Sequence, residues 1–303
     1  SRACFMQPVY IKTYQNSKLE EKIKFLNKIL TQCTLCPRRC KVNRLEGQRG
    51  FCGAGKDARV SSTFPHFGEE SCLVGKHGSG TIFFSYCNLK CVFCQNYELS
   101  HLAEGREVSI EELAGFMLEL QGMDCHNINL VTPTHFVPQI ISALKIAIEE
   151  GLRLPLVYNC GGYESEEVID IMDGVVDIYM PDAKFSSSKI SAELCNAPDY
   201  FENLKKALKK MHRQVGDLEI VDGIAKRGLL IRHLVMPGGL AGTREIMEFI
   251  AKEISLDTYI NIMAQYRPYG EAHKYPRINR PITVEECYAA QKIATSFGLH
   301  RFD

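Results

Sequence analysis

Apolar positions along the chain follow two alternating rhythms. Short runs rich in β-branched and aromatic residues, at 81–85, 127–131, 154–158, 175–180, 229–235 and 259–264, read as strands. Between and after them, apolar residues recur every three to four positions among Lys and Glu, at 110–120, 137–149, 165–172, 201–211, 243–254 and 284–297. That spacing predicts helices with one buried face. Ser109, followed by Glu111 and Glu112, marks one helix start, and Ser165 another. Strands alternating with helices place parallel strands beneath a helical layer, the α/β class. Six such units suggest a partial barrel over residues 78–303. Residues 1–77 read as a separate N-terminal module. It opens irregularly, continues as a surface helix carrying Leu19, Ile23, Leu26, Ile29 and Leu30, and becomes cysteine-rich. A connector over 56–78, holding a core histidine at His66 and a spectator at Cys72, leads into the barrel.

The bulk properties narrow the functional classes. With 303 residues the chain can bury a substantial core. Lys plus Arg balance Asp plus Glu at 36 each, so no net field points to nucleic acid or an anionic membrane. No apolar run approaches the ~18–20 residues of a membrane span. The N-terminus lacks the order of a secretory signal, although a chain opening at Ser1 leaves room for an upstream segment. Thirteen cysteines in a chain of this size, without such a signal, point to metal ligation in a reducing, cytoplasmic setting rather than to disulfides.

Seven of those cysteines fall in two groups. Cys87, Cys91 and Cys94 follow a C-x3-C-x2-C spacing, close enough for one loop to wrap three thiolates around an inorganic core. A [4Fe–4S] cluster held by three cysteines leaves one iron open to a small molecule. Zinc is the competitor, but it wants a fourth nearby ligand and none occurs before His101. Packing as small hydrophobes sits badly with Asn88, Lys90, Gln95 and Asn96. The second group, Cys33, Cys36, Cys40 and Cys52, can close a metal site completely, with Gly50, Gly53 and Gly55 supplying permissive backbone. Zinc and an auxiliary iron–sulfur cluster both fit that spacing, and Arg38 and Arg39 offset the thiolate charge in either case.

The run G-T-I-F-F-S-Y-C-N-L-K-C-V-F-C-Q-N-Y over residues 80–97 resembles the signature loop of the radical S-adenosylmethionine (SAM) superfamily. Within it, the run resembles the PflX-like branch, similar to the activating enzymes of pyruvate formate-lyase. The resemblance covers about residues 33–303 and implies a (β/α)6 partial TIM-like barrel. It also implies a [4Fe–4S] cluster that reductively cleaves SAM to a 5′-deoxyadenosyl radical, which abstracts hydrogen from a substrate.

Active sites of such folds lie beyond the C-terminal ends of the strands. There the resemblance places Phe93, Thr132, Thr134, Asn159, Asp182 and Lys184 beside SAM. Thr132, Thr134 and His135 replace the family's Gly-Gly-Glu-type run, whereas Asp182 and Lys184 match its Asp-x-Lys. Gly161 and Gly162 permit close backbone approach, and Cys160 is read as a packing residue. Arg232 and His233 compete for the barrel interior, since neighbours on a strand point to opposite sides. With Gln265, Arg267, Tyr269 and His273 they form the catalytic or substrate side.

A glycine of a partner enzyme is the hydrogen donor the activase resemblance implies; a peptide or small metabolite is the alternative. The expected electron donor is a flavodoxin or ferredoxin. Two readings of other classes compete: an iron–sulfur electron-transfer protein without SAM chemistry, and a zinc-dependent nucleic-acid-binding module around residues 33–55.

Overall fold

The structure is a computed structural model and describes residues 6–303. Ten strands appear in chain order: β1 (Ala58–His66), β2 (Ser79–Phe84), β3 (Arg106–Val108), β4 (Ile128–Val131), β5 (Leu156–Cys160), β6 (Ile178–Pro181), β7 (Glu219–Val221), β8 (Ile224–Leu234), β9 (Tyr259–Met263) and β10 (Arg301–Phe302). They form one open mixed sheet in the order β10-β9-β8-β6-β5-β4-β2-β1-β3, with β7 paired to β8 off the path. Every neighbour pair from β2 to β10 is parallel, whereas β1 and β3 at the other edge run antiparallel. Strands β4, β5 and β6 are buried at every position. That is the burial expected of parallel strands covered on both faces.

All six expected strands are present, as β2, β4, β5, β6, β8 and β9. The connector expected over 56–78 is corrected: it contains β1 and the short helix Ser71–Val74. Strand β1 is only half-buried and carries Ser61, Ser62 and Thr63, so it lacks the apolar run that marks an inner strand. Strand β7 turns into β8 through Asp222 and Gly223 at φ 52° and 79°, a left-handed pair suited to a tight hairpin.

The helices follow their local signals. Ile110–Gly122 and Val284–Ser296 each begin with a capping box, Ser109 with Glu112 and Thr283 with Glu286. Val137–Glu149 spans the expected residues, and Thr243–Phe249 continues as one π-helical stretch, Ile250–Ile254. Ser188–Cys195, capped by Ser187, was not expected. The expected surface helix is Lys18–Ile29; before it, where irregular chain was expected, Val9–Gln15 forms a first helical piece, and Ser17 at φ 60° separates the two. The first piece is tied beneath the sheet: Val9 N donates to Asp177 Oδ1 at 2.8 Å, and the Tyr10 hydroxyl to the Leu154 carbonyl at 2.6 Å. The irregular opening expected before it lies partly outside the described residues. Among the described residues, no helix is long and apolar enough to cross a membrane.

Because β2, β4, β5, β6, β8 and β9 are parallel, their C-terminal ends share one side of the sheet. The loops that carry the expected chemistry therefore gather there.

Candidate active site

Those strand ends surround a cavity of about 470 Å³. Cys87, Cys91 and Cys94 line it, delivered by the loop that leaves β2. Tyr86 and Lys90 hold left-handed backbone, at φ 71° and 51°, which lets the loop curl tightly enough to aim three thiols at one space. Leu89 N donates to Cys87 Sγ at 3.4 Å, and Val92 N ties the loop to the Leu194 carbonyl at 2.9 Å. Burial pushes the Cys87 thiol up to about 12 and also raises that of Cys94. Iron reverses this cost by displacing the thiol protons on binding. Phe93 lines the cavity between Cys91 and Cys94, its ring edge-on to Phe185 and Tyr266 at 5.9 Å.

The facing wall comes from β4, β5 and β6. Thr132 takes φ 59° and its N–H donates to the Asn159 carbonyl at 2.8 Å. Thr132, Asn159, Cys160, Gly161, Asp182 and Lys184 all line the cavity. Lys184 Nζ donates to Asp182 Oδ2 at 2.6 Å. Burial alone would depress the Lys184 ammonium, but Asp182, together with Cys91, Tyr200 and Cys195, outweighs it and holds the pKa well above the ordinary lysine value. The Tyr200 hydroxyl, unforeseen in the sequence, lies 2.8 Å from both the Gly161 and Asp182 carbonyls and pins the two loops together. The two glycines are required for different reasons. A Cβ at Gly161 would sit 2.8 Å from Leu89 Cδ1 of the cysteine loop, whereas Gly162 has φ 81° and packs against the Asp182 carbonyl.

Three soft thiolate donors on one loop, facing an ion pair and an amide, fit an iron–sulfur cluster with an open iron and a zwitterionic ligand. The profile of the Radical SAM superfamily matches residues 81–250, over half of the chain. The chain belongs to that superfamily. It is also similar to an uncharacterized protein of Methanocaldococcus jannaschii, MJ0674, at 34% identity over 287 residues, covering 93% of this chain and 79% of the relative. Membership of the radical SAM superfamily implies an enzyme of radical chemistry that uses a [4Fe–4S] cluster and SAM.

The third wall of this radical SAM cavity was largely missed from sequence. The turn after β1 brings His66, Glu69 and Glu70 to meet Arg232 on β8 and Asn261 on β9. Arg232 Nε and Nη2 donate to the two Glu70 oxygens at 2.6 and 2.7 Å, and Nη2 also reaches Glu69. Asn261 Nδ2 donates to Glu70 Oε1 at 2.9 Å, and His66 Nδ1 lies 3.1 Å from Glu69 Oε1. Burial pushes the Glu70 carboxyl up, yet Arg232 and Asn261 together hold it below its ordinary value. His66, expected to be a core histidine, is instead a cavity residue. The adjacent acidic pair Glu69-Glu70 is the available signal, hidden in a segment that reads as a connector.

Arg232 and Gln265 line the cavity as expected of the substrate side. His233, the next residue on β8, points away: it is fully buried, with Nδ1 2.6 Å from the Ala183 carbonyl and Nε2 2.9 Å from Thr243 Oγ1. Thr134 is buried behind the wall, donating to Glu164 Oε1 at 2.6 Å. Arg267, Tyr269 and His273 are exposed outside the cavity. Arg267 contributes only its carbonyl, to Gln95 Nε2 at 3.0 Å, and the Tyr269 hydroxyl donates to Glu98 Oε1 at 2.5 Å. Cys33, Cys36, Cys40 and Cys52 line a second, small cavity together with Arg38, Arg44 and His135.

Proposed function

We propose that this cavity binds SAM over a [4Fe–4S] cluster held by Cys87, Cys91 and Cys94, and presents it to a substrate entering beside Arg232 and Gln265. The reading is carried by one observation: the three cysteines and Thr132, Asn159, Asp182 and Lys184 line the same cavity. When bound, the cluster supplies the electron that cleaves SAM, and the resulting 5′-deoxyadenosyl radical removes a hydrogen atom from substrate. The chain's own residues bind and orient. Lys184, fixed by Asp182, would hold the SAM carboxylate through a charge-assisted bond. Asn159 would hold the ribose, and Thr132 with its neighbouring carbonyls the ammonium. Phe93 and Tyr266 shield the space between cluster loop and substrate wall.

Hydrogen bonds from Arg232 and Asn261 to Glu70 join the segment after β1 to strands five and six places away in the sheet order. That supports a sheet curled into a partial barrel around the cavity. The acid-rich third wall favours a substrate portion bearing hydrogen-bond donors. A backbone stretch around a glycine of a partner polypeptide meets that description, in keeping with the PflX-like character of residues 80–97. An external one-electron donor of the flavodoxin or ferredoxin class would reduce the cluster.

The test is anaerobic reconstitution followed by reduction in the presence of SAM. Release of 5′-deoxyadenosine is the expected result, lost in Cys91→Ala. Bound iron with a reducible signal but no deoxyadenosine would leave an electron-transfer protein instead.

A further inference from the structure

The side chain of Arg38 joins the second cysteine group to the first. Arg38, between Cys36 and Cys40, donates through Nε to the Asn88 carbonyl at 2.9 Å and through Nη2 to the Cys195 carbonyl at 3.3 Å. Asn88 directly follows Cys87, and Cys195 Sγ touches Cys91.

The cavity lined by Cys33, Cys36, Cys40 and Cys52 has the marks of a ligand site. Arg44 in its wall is 1% exposed, fixed by Nε to the Gly55 carbonyl at 2.8 Å and by Nη1 to the His135 carbonyl at 2.7 Å. Its Nη2 has no partner. An unpaired buried donor costs about 1–3 kcal/mol, which an anionic occupant would offset. Arg39 and Lys41, flanking Cys40, take left-handed backbone at φ 46° and 56°. Non-glycine residues hold that conformation only where the surroundings impose it. Gly50 is packed so closely that a Cβ would lie 2.7 Å from Cys40 Sγ. Phe51 N and Ala54 N donate to Cys40 Sγ and Cys52 Sγ at 3.5 and 3.4 Å, bonds of the kind that tune cluster sulfurs.

The N-terminal set shares left-handed loop backbone and N–H···S bonds with Cys87, Cys91 and Cys94, the loop that matches the superfamily's cluster-binding signature. That likeness favours a cluster over zinc.

We propose that Cys33, Cys36, Cys40 and Cys52 hold a second iron–sulfur cluster, anchored through Arg38 against the loop that carries the first. With all four positions filled by cysteine it offers no iron to substrate, so its role is structural or one-electron transfer. This inference stands independently of the SAM reading.

The test removes the first site. The full-length triple variant C87A/C91A/C94A is reconstituted anaerobically with Fe²⁺ and sulfide, with Zn²⁺ competing. Expected are about two to four irons with matching sulfide per chain and an EPR signal on dithionite reduction. One zinc without sulfide, or no metal, overturns the proposal. If the triple variant does not accumulate, the unsubstituted holoprotein decides: about six to eight irons support a second cluster, and about four overturn it.

Discussion

Cys195 Sγ lies 3.1 Å from Cys91 Sγ, and both residues are buried. Cys195 ends the helix Ser188–Cys195 and approaches from behind, since it is absent from the cavity wall. With Cys91 bound to iron as a thiolate, its proton released, only Cys195 could donate, which would give an S–H···S bond to a cluster ligand. Hydrogen bonds to ligand sulfurs raise cluster potentials because they favour the more negative reduced state. Cys195→Ala should therefore lower the midpoint potential of the cluster on Cys87, Cys91 and Cys94 without changing iron content. Cys195→Ser, which keeps a donor, should fall in between. An EPR-monitored reductive titration checks this, and equal midpoints in all three proteins would remove Cys195 from the mechanism.

Lys184 is the cation proposed here to hold the SAM carboxylate, and Asp182 fixes it at 2.6 Å. A hydrogen bond to a charged group contributes about 1.5–3 kcal/mol. Lys184→Met should therefore weaken SAM binding by about 10–100-fold, with the cluster still assembled. Equilibrium dialysis of the reconstituted variant reads this directly. Unchanged affinity would show that the carboxylate is held elsewhere.

Arg232 is ion-paired with two buried carboxylates, Glu69 and Glu70, whose side chains are 7% and 0% exposed. Removing one partner of a buried pair leaves an uncompensated charge and costs about 3–5 kcal/mol. Arg232→Met should show a loss of that order in urea denaturation. The double variant R232M/E70Q should recover part of it, because one of the two orphaned carboxylates is gone. A single variant as stable as the parent would mean that water reaches Glu70 freely.

Much of this was legible in the sequence, and the gaps have physical reasons. Inner strands such as β5 are apolar throughout because both faces are covered, so their pattern stands out. Strand β1 is antiparallel and half-buried, its polar residues resemble a loop, and Glu69, Glu70 and His66 were hidden with it. Residues directly after a parallel strand were placed well: Thr132, Asn159, Asp182 and Lys184 all reach the cavity. Residues deeper in the loop after β9 were not, since nothing in Arg267, Tyr269 or His273 encodes which way an irregular segment turns. Strand alternation left Arg232 and His233 tied; the carboxylates of Glu69 and Glu70, invisible as partners in the sequence, show which side faces the cavity.

Glu164 provides a pH signature of the packed wall. It is buried, accepts from Thr134 Oγ1 at 2.6 Å and Tyr158 Oη at 3.0 Å, and burial outweighs those donors. Its carboxyl is pushed from an ordinary 4.5 up to about 7. The folded protein thus keeps a proton that the unfolded chain releases once the pH exceeds 4.5. Below that value both states hold the proton and the contribution is complete; it is lost as the pH rises through about 7. The loss is on the order of 3 kcal/mol at about 1.4 kcal/mol per pH unit. Glu164→Gln is neutral at every pH and can accept from one hydroxyl while donating to the other. The substituted protein should lose less stability than the parent between about pH 5 and pH 7.5 by that amount, as measured by urea denaturation at the two pH values. Parallel pH profiles for the two proteins would mean that Glu164 stays ionised throughout, its two hydroxyl donors prevailing over burial.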